Sequence, residues 1–269
     1  MLELETTGLD LGEIEDIVDD LASAGVEATV IHNFLPTPGG MTNRELAETI
    51  APHRERLIGF VRVNPHDVQR SLVEADECVA TAGFRGVTVT PFWHRVRADD
   101  PLLDPVWQYC VEHDLVAYIH TSVNWVRSIP LDYEHPLIVD RVACRYPDLR
   151  IAAGHGGWPW IPDMVAVAMR QPNVYVDFSA FRPKHLATPG TGWDMLWYSL
   201  QRNLQDKVVW GSTWSLLGRS VRDAIAEVSS LPLEPNVLDK FVRGNAARLL
   251  GIDSPAPAPR KELAVDAAT

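Results

Sequence analysis

Four of the nine histidines in this chain end or directly follow a segment that has the character of a β-strand. They are His32, His94, His120 and His155. Imidazole titrates near neutral pH and is a common ligand of Zn²⁺, Mn²⁺ and Fe²⁺. The carboxyl ends of parallel strands share one face, so such strands would gather these side chains there. The pattern predicts an acid–base or metal site. For any one of them taken singly, the alternative is a structural, hydrogen-bonded histidine.

The segment IAAGHGGWPW, residues 151–160, carries the sharpest local signal. Glycines flank His155 on both sides, which lets the backbone turn tightly and lets a ligand approach the ring. Trp158 follows, either as a wall for a flat ligand or packed against the next helix. We expect His155 to act as an acid–base group, with His120 as its partner.

Polar and aromatic residues at other strand ends extend this predicted site. Asp177 ends VYVDF, where a carboxylate would either orient a histidine or cap backbone amides. The gathering of aromatic residues favours an aromatic or conjugated substrate over a phosphate. The predicted catalytic residues are His155, His120 and Asp177. The predicted substrate-binding residues are His32, His94, Trp93, Trp125, Trp158, Thr213 and Trp214.

Seven short apolar segments must position these side chains. They span residues 26–34, 57–64, 84–92, 115–122, 149–157, 173–180 and 207–213. Their near-continuous apolar character is typical of parallel strands buried on both faces. Helix-like segments separate them, and strict β–α alternation predicts a parallel sheet, either doubly wound or closed as a (β/α)₈ barrel. A barrel needs an eighth strand, and residues 1–8 offer only a weak first one.

Composition excludes several classes of function. The formal net charge of −12 disfavours binding to nucleic acid or anionic membranes. No P-loop, GxGxxG or GxSxG motif is present. No apolar run reaches the roughly 20 residues of a membrane span, and no signal-peptide pattern opens the chain. We expect a single domain over residues 1–252 and a disordered Pro/Ala-rich tail over residues 253–269.

Cysteine usage indicates the compartment. The chain has three cysteines and no CxxC motif, which is typical of reduced thiols in a cytoplasmic protein. The three are Cys78, Cys110 and Cys144. A catalytic cysteine is the alternative, but each lies in a helix-like pattern, so we expect all three to be buried structural thiols.

Seven motifs, taken in order, carry a resemblance to a known family. They are GFVRVNPHD, GFRGVTVTP, AYIHTS, LRIAAGHGGWPW, PNVYVDFSA, LQDKVVWGS and GNAARLLGI. From about residue 12 to about residue 252 the chain resembles the amidohydrolase-related family. The relevant branch includes aminocarboxymuconate-semialdehyde decarboxylase and the γ-resorcylate-type decarboxylases. The resemblance implies a (β/α)₈ barrel, a homodimer and a divalent metal, often zinc.

The family's usual site matches this chain only in part. That site has an HxH pair ending strand one, histidines ending strands five and six, and an aspartate ending strand eight. By position, His120 is the strand-five metal ligand and His155 the strand-six catalytic or substrate-orienting group. By the same count, His32 ends strand two and His94 follows strand four. No HxH occurs in the chain, and Thr213 replaces the aspartate. A start codon upstream of Met1 would account for the HxH but not for Thr213, whose neutral hydroxyl is a weak ligand.

Two functional hypotheses follow from this mixed pattern. The first is an enzyme for a small unsaturated or aromatic carboxylic or carbonyl compound, acting by hydrolysis, decarboxylation or a related lyase or cyclisation step. Its metal would be absent or held by a rebuilt set of ligands. Those ligands would come from His32, His94, His120 and His155. The second hypothesis is a non-catalytic relative, either a small-molecule binder or a partner subunit.

Overall fold

Seven parallel strands form one curled sheet, in which each strand pairs with the next along the chain. They are β1 Thr29–His32, β2 Leu57–Arg62, β3 Gly86–Val89, β4 Val116–His120, β5 Arg150–Gly154, β6 Val174–Phe178 and β7 Val208–Trp210. This computed structural model describes residues 14–32, 41–214 and 216–252. The predicted weak strand at 1–8 and the predicted tail at 253–269 lie outside the described residues. The seven predicted strands and the barrel fold class are confirmed.

Helices separate the strands and cover the outside of the sheet. They are α1 Ile14–Ser23, α2 Asn43–Ile50, α3 Val68–Ala82, α4 Pro91–His94, α5 Asp104–Glu112, α6 Leu137–Arg145, α7 Ile161–Arg170, α8 Pro183–Ala187, α9 Asp194–Leu200, α10 Val221–Ser229, α11 Pro235–Asp239 and α12 Asn245–Leu250. Short 3₁₀ turns lie at Ala51–His53, Pro101–Leu103, Leu131–Glu134 and His155–Gly157, and a π-helical turn at Lys240–Gly244.

Alternation along each strand divides the core into two layers. Ala117 and Ile119 of β4 pack in the large outer layer between the sheet and the helices. Val116 and Tyr118 belong to a smaller cluster inside the curl of the sheet. Because successive strand residues point to opposite faces, His120 lies on the inner side, two residues beyond Tyr118. The inner side of β4 therefore carries two polar groups near its carboxyl end, the hydroxyl of Tyr118 and the imidazole of His120.

Apolar residues close the amino end of the sheet's interior. Leu249 and Leu250 of α12 pack into the inner cluster beside residues of β2, β4 and β7. The guanidinium of Arg150, at the start of β5, donates to the backbone carbonyl of Leu249. A cation there also complements the partial negative charge at the helix C-terminus. We call Leu249, Leu250 and Arg150 the floor of the barrel.

Two of the three cysteines lie where we expected. Cys78 and Cys110 are buried, whereas Cys144 is exposed. Cys144 lies near the end of α6, beside the side chains of Arg170 and Gln171, so the prediction was wrong for this residue. None of the helices in the described ranges combines the length and apolarity needed to span a bilayer.

Candidate active site

The backbone turns sharply where β5, β6 and β7 end. His155, Ala180 and Thr213 have φ angles of 58°, 59° and 43°. Residues other than glycine rarely adopt this left-handed region, and a strained residue of this kind costs about 1–3 kcal/mol. Such residues cluster at functional sites. We call the carboxyl ends of the strands, with the residues that directly follow them, the rim.

The turn after β5 needs glycine for steric reasons. Gly156 has a φ of 66°, and a Cβ atom added to it would lie 2.6 Å from the ring of Trp193. Gly157 has a φ of 71°. Gly156 and Gly157 therefore form the tight turn beside His155.

A chain of hydrogen bonds joins His155 to a buried carboxylate. His155 Nδ1 lies 2.8 Å from Ser179 Oγ, and Ser179 donates its proton to Asp177 Oδ2. Asp177 also accepts from Tyr118 Oη at 3.2 Å and from the backbone N–H of His155 at 3.5 Å. The only proton of Ser179 is committed to Asp177, so Ser179 must accept from Nδ1–H of the imidazole. This assignment leaves the lone pair of His155 on Nε2.

His120 is held by a second carboxyl group. Its ring is 5% exposed, and its Nδ1 forms a hydrogen bond with Glu134 Oε1. The ring centroids of His120 and His155 are 4.9 Å apart with an interplanar angle of 75°. Phe92 packs against the other side of His120 at 5.1 Å. The two predicted catalytic histidines are therefore neighbours, and each Nδ1 already has a partner.

His32 completes the group from the opposite side of the sheet's interior. Its Nδ1 lies 2.9 Å from Thr88 Oγ1 on β3. Its ring meets that of Tyr118 edge-on at 5.0 Å, and Tyr118 in turn contacts Asp177. The structure thus brings together His32, His120 and His155, with Asp177 connected to them.

Burial determines the charge of this group. It lowers the pKa of His32 to about 4 and of His120 to about 3, and it lowers the pKa of His155 well below its ordinary value. The same burial raises the pKa of Asp177 to about 6, although hydrogen bonds from Ser179, His155 and Tyr118 oppose the shift. At pH 7 the rings of His32 and His155 are therefore neutral and Asp177 is a carboxylate.

Thr213 lies next to this group. Its Oγ1 accepts a hydrogen bond of 2.8 Å from the backbone N–H of Ala180, so it ties the end of β7 to the turn after β6. Trp214 is half-buried against the outer layer of the core. The predicted small polar opening at the end of β7 is therefore a backbone link between two neighbouring strand ends.

The remaining predicted residues lie further out. His94, in α4, accepts at its backbone carbonyl from His66 Nε2 at 2.9 Å, and the two rings are 6.1 Å apart. Trp93 is 38% exposed and Trp125 is 66% exposed. Trp158 is half-buried, and its Nε1 donates to Thr191 O at 3.3 Å. Of these four, only Trp158 directly follows the His155 turn.

Three residues that hydrogen-bond the predicted catalytic residues were absent from the predicted set. They are Tyr118, Glu134 and Ser179. The alternation of β4 and β6 would have shown two of them, because Tyr118 shares a face with His120 and Ser179 lies two residues beyond Asp177. Glu134 lies in a connecting segment, where no periodic pattern predicts what it contacts.

The donors present do not match the metal site that the family resemblance implies. Among residues 14–32, 41–214 and 216–252, no three His, Cys, Asp or Glu side chains converge in a way that could hold a metal ion. The place of the expected aspartate holds a hydroxyl that accepts a backbone N–H.

The family assignment follows from comparison with known sequences. The family model described as amidohydrolase matches residues 17–252. The chain therefore belongs to the amidohydrolase family.

Solved structures share the fold. An uncharacterized TIM-barrel protein from Bordetella bronchiseptica has a TM-score of 0.72 at 22% identity, over 88% of this chain and 82% of that one. 2,6-Dihydroxybenzoate decarboxylase from Rhizobium has a TM-score of 0.65 at 18% identity, over 88% of both chains. 5-Carboxyvanillate decarboxylase from Novosphingobium aromaticivorans, complexed with manganese and 4-hydroxy-3-methoxy-5-nitrobenzoic acid, has a TM-score of 0.63 at 20% identity. That match covers 91% of this chain and 81% of the decarboxylase.

Proposed function

We propose that this protein is an enzyme that decarboxylates a small aromatic hydroxy acid without oxidation, with His155 as its acid–base group. The observation that carries the proposal is the hydrogen-bonded chain from His155 through Ser179 to Asp177. A neutral imidazole with its Nδ1–H engaged and a carboxylate behind it is suited to accept and return a proton at Nε2. The names of the two decarboxylases of like fold support the reaction class.

The proton movements can be assigned to the chain's own groups. His155 Nε2 takes the phenolic proton of the substrate, and the carboxylate of Asp177 stabilises the imidazolium through Ser179. The imidazolium then donates this proton to the ring carbon that bears the carboxylate. The bond from that carbon to the carboxylate breaks, its electron pair restores the aromatic ring, and CO₂ leaves. The phenolate takes one proton from solvent, so the reaction consumes one proton in total.

The surroundings of His155 suit a flat, apolar substrate. The ring of Trp158 lies 5.6 Å from that of Phe181, and Phe181 lies 5.0 Å from Trp193, on which the turn at Gly156 packs. We expect the partly exposed rings of Trp158 and Phe181, with Trp193 buried behind them, to contact an aromatic ligand offset or edge-on. A low local polarity also favours loss of CO₂ from a carboxylate, because the charged ground state is desolvated more than the dispersed transition state.

The test is turnover of a set of hydroxybenzoic acids, including 2,6-dihydroxybenzoate and 5-carboxyvanillate, followed by CO₂ release. The reaction run in D₂O should place one deuterium on the carbon that carried the carboxylate. Because phenolic and imidazole protons exchange with solvent, a proton that passes through His155 arrives as deuterium, and the label shows that an exchangeable proton reaches this carbon. Release of CO₂ without deuterium at that carbon would contradict the mechanism.

We also propose that this site works in an altered form that needs no bound metal, which is supported by the lack of a converging ligand set among the described residues. The measurement is the metal content of purified protein before and after chelation, together with activity on any substrate found. Stoichiometric metal that resists chelation, or activity that chelation abolishes and Mn²⁺ restores, would overturn this part of the proposal.

Non-catalytic binding of a small molecule is the second candidate, and Thr213 at the place of the family's aspartate favours it. The two candidates differ in one outcome. A ligand of the same chemical class would bind stoichiometrically and be recovered unchanged if the protein is a binder, whereas turnover of that ligand would exclude this candidate.

A further inference from the structure

One buried carboxyl group has no part in the mechanism proposed above. Glu134 ends the 3₁₀ turn Leu131–Glu134, in the segment that joins β4 to α6, and it is 1% exposed. Its neighbourhood in the chain is exposed, since Trp125 is 66% and Leu131 43% accessible. The side chain of Glu134 is therefore buried, although apolar residues of the same segment, Trp125 and Leu131, are exposed.

The carboxyl group of Glu134 reaches one specific atom. Its Oε1 forms a hydrogen bond with Nδ1 of His120, whereas its Oε2 is buried without a hydrogen-bond partner among the described residues. Burying a carboxyl group is costly unless its hydrogen bonds compensate for lost water. An apolar residue at this position would cover the strand end at a lower energetic cost. Packing alone therefore does not explain why a carboxyl group contacts His120.

We propose that Glu134 is the positioning residue of His120. By engaging Nδ1, it fixes the rotation of the ring and therefore the direction in which Nε2 points. Ser179 does the same for His155 from the other side. The two rings, 4.9 Å apart, are then both held through Nδ1, and a substrate bound beside them meets a fixed pair of imidazole groups.

In this arrangement Glu134 affects catalysis through His120 and contacts no reacting atom itself. Groups that hydrogen-bond the second nitrogen of a metal-binding histidine typically contribute about 10–100-fold to metal affinity or activity. We expect an effect of the same order for His120. The effect on turnover rests on the proposed function, whereas the effect on the ring of His120 does not. The two can therefore be measured separately.

The experiment compares Glu134→Ala, Glu134→Gln and the control Asp132→Asn, which alters an exposed carboxyl group two residues away in the same turn. The first readout is the ¹⁵N NMR spectrum of histidine-labelled protein, with the signals of His120 assigned by their loss in His120→Gln. We expect Glu134→Ala to change the Nδ1 and Nε2 shifts of His120, and Asp132→Asn to leave them unchanged. Glu134→Gln, which preserves the side-chain shape, should shift Nδ1 because an amide replaces the carboxyl group.

The second readout is steady-state turnover. We expect kcat to fall about 10–100-fold in Glu134→Ala with KM changed less than about 3-fold, and to recover at least partly in Glu134→Gln. Unshifted His120 resonances in Glu134→Gln would overturn the proposal even if the alanine variant failed to fold. A loss of kcat with unchanged resonances would overturn it too. Shifted resonances in a protein that turns over no tested acid would leave the positioning role standing and count against the proposed function.

Discussion

The two ends of the barrel differ in polarity: buried polar side chains form the rim, and mainly apolar side chains form the floor. At the rim, three neighbouring strand ends lead into left-handed residues, and buried polar side chains bond one another in chains. At the floor, Leu249 and Leu250 fill the interior without polar side-chain groups, and Arg150 fastens the end of α12. The contrast shows that one fold can hold buried polar groups, which reduce stability, at one end because apolar packing at the other end compensates for them. It predicts that changes at the rim alter chemistry and that changes at the floor alter stability.

The largest expected effect is on catalysis at the rim. His155→Asn should lower kcat/KM by about 10²–10⁴-fold, because it removes the acid–base group while asparagine tolerates the left-handed backbone there. The free energy of unfolding of the same variant, measured in urea, should differ from that of the wild type by about 1 kcal/mol or less. Activity that persists within a few-fold of the wild type would show that another group moves the proton.

The matching change at the floor should give the reverse result. Leu249→Ala should lower the free energy of unfolding by about 2–5 kcal/mol, since it removes buried methyl groups and leaves a cavity. The kcat of the folded fraction should match that of the wild type. A loss of kcat as large as that of His155→Asn would mean that the two ends of the barrel are not independent.

Asp177 should link the rim to pH. Its pKa is about 6 in the folded protein against an ordinary value of 3.8, so its contribution to stability is present below about pH 4 and is lost as the pH rises through 6. The unfolding free energy of the wild type relative to Asp177→Asn should therefore fall by about 3 kcal/mol between pH 3.5 and pH 7.

The kcat of the wild type should show the opposite trend, rising through about pH 6 as the carboxylate forms behind Ser179. Asp177→Asn should lack that rise. A difference in unfolding free energy that stays constant with pH would show that Asp177 is not the buried titrating group.

The smallest expected effect is at the end of β7. Thr213→Asp should raise the affinity for Mn²⁺ or Zn²⁺ at least about tenfold, because carboxylate oxygens are far better ligands than a hydroxyl. Isothermal titration with either ion measures this. The control is Thr213→Asn, which suits the left-handed backbone equally well without adding charge. Equal affinities in the two variants would mean that this strand end no longer faces a metal site.

The fold could be predicted from sequence because one pattern repeats. Each apolar strand followed by an amphipathic helix predicts one β–α unit, and seven such units are compatible with few chain topologies. The meeting of His120 and His155 also followed from that pattern, since parallel strands bring their carboxyl ends to one face. These are consequences of backbone geometry, which sequence periodicity records.

The hydrogen-bonded partners were predictable only where a strand carries them. Ser179 shares a face with Asp177 by alternation, although it was absent from the predicted set. Glu134 meets His120 from a 3₁₀ turn 14 residues further along the chain, and tertiary packing decides that contact. The exposure of Trp125 could not be predicted for the same reason, because the path of a loop over the surface gives no periodic pattern in the sequence.

The left-handed residues after β5, β6 and β7 also limit which amino acids the rim can accept. Asparagine, aspartate and glycine enter this conformation at low cost, so a random library at positions 155, 180 and 213 would enrich them whatever they did to the reaction. Threonine, with its branched Cβ, is the most strained occupant of the three. Selection for thermal tolerance alone would therefore draw position 213 towards asparagine or aspartate, and in the second case would place a carboxylate at the end of β7 without any selection for metal binding.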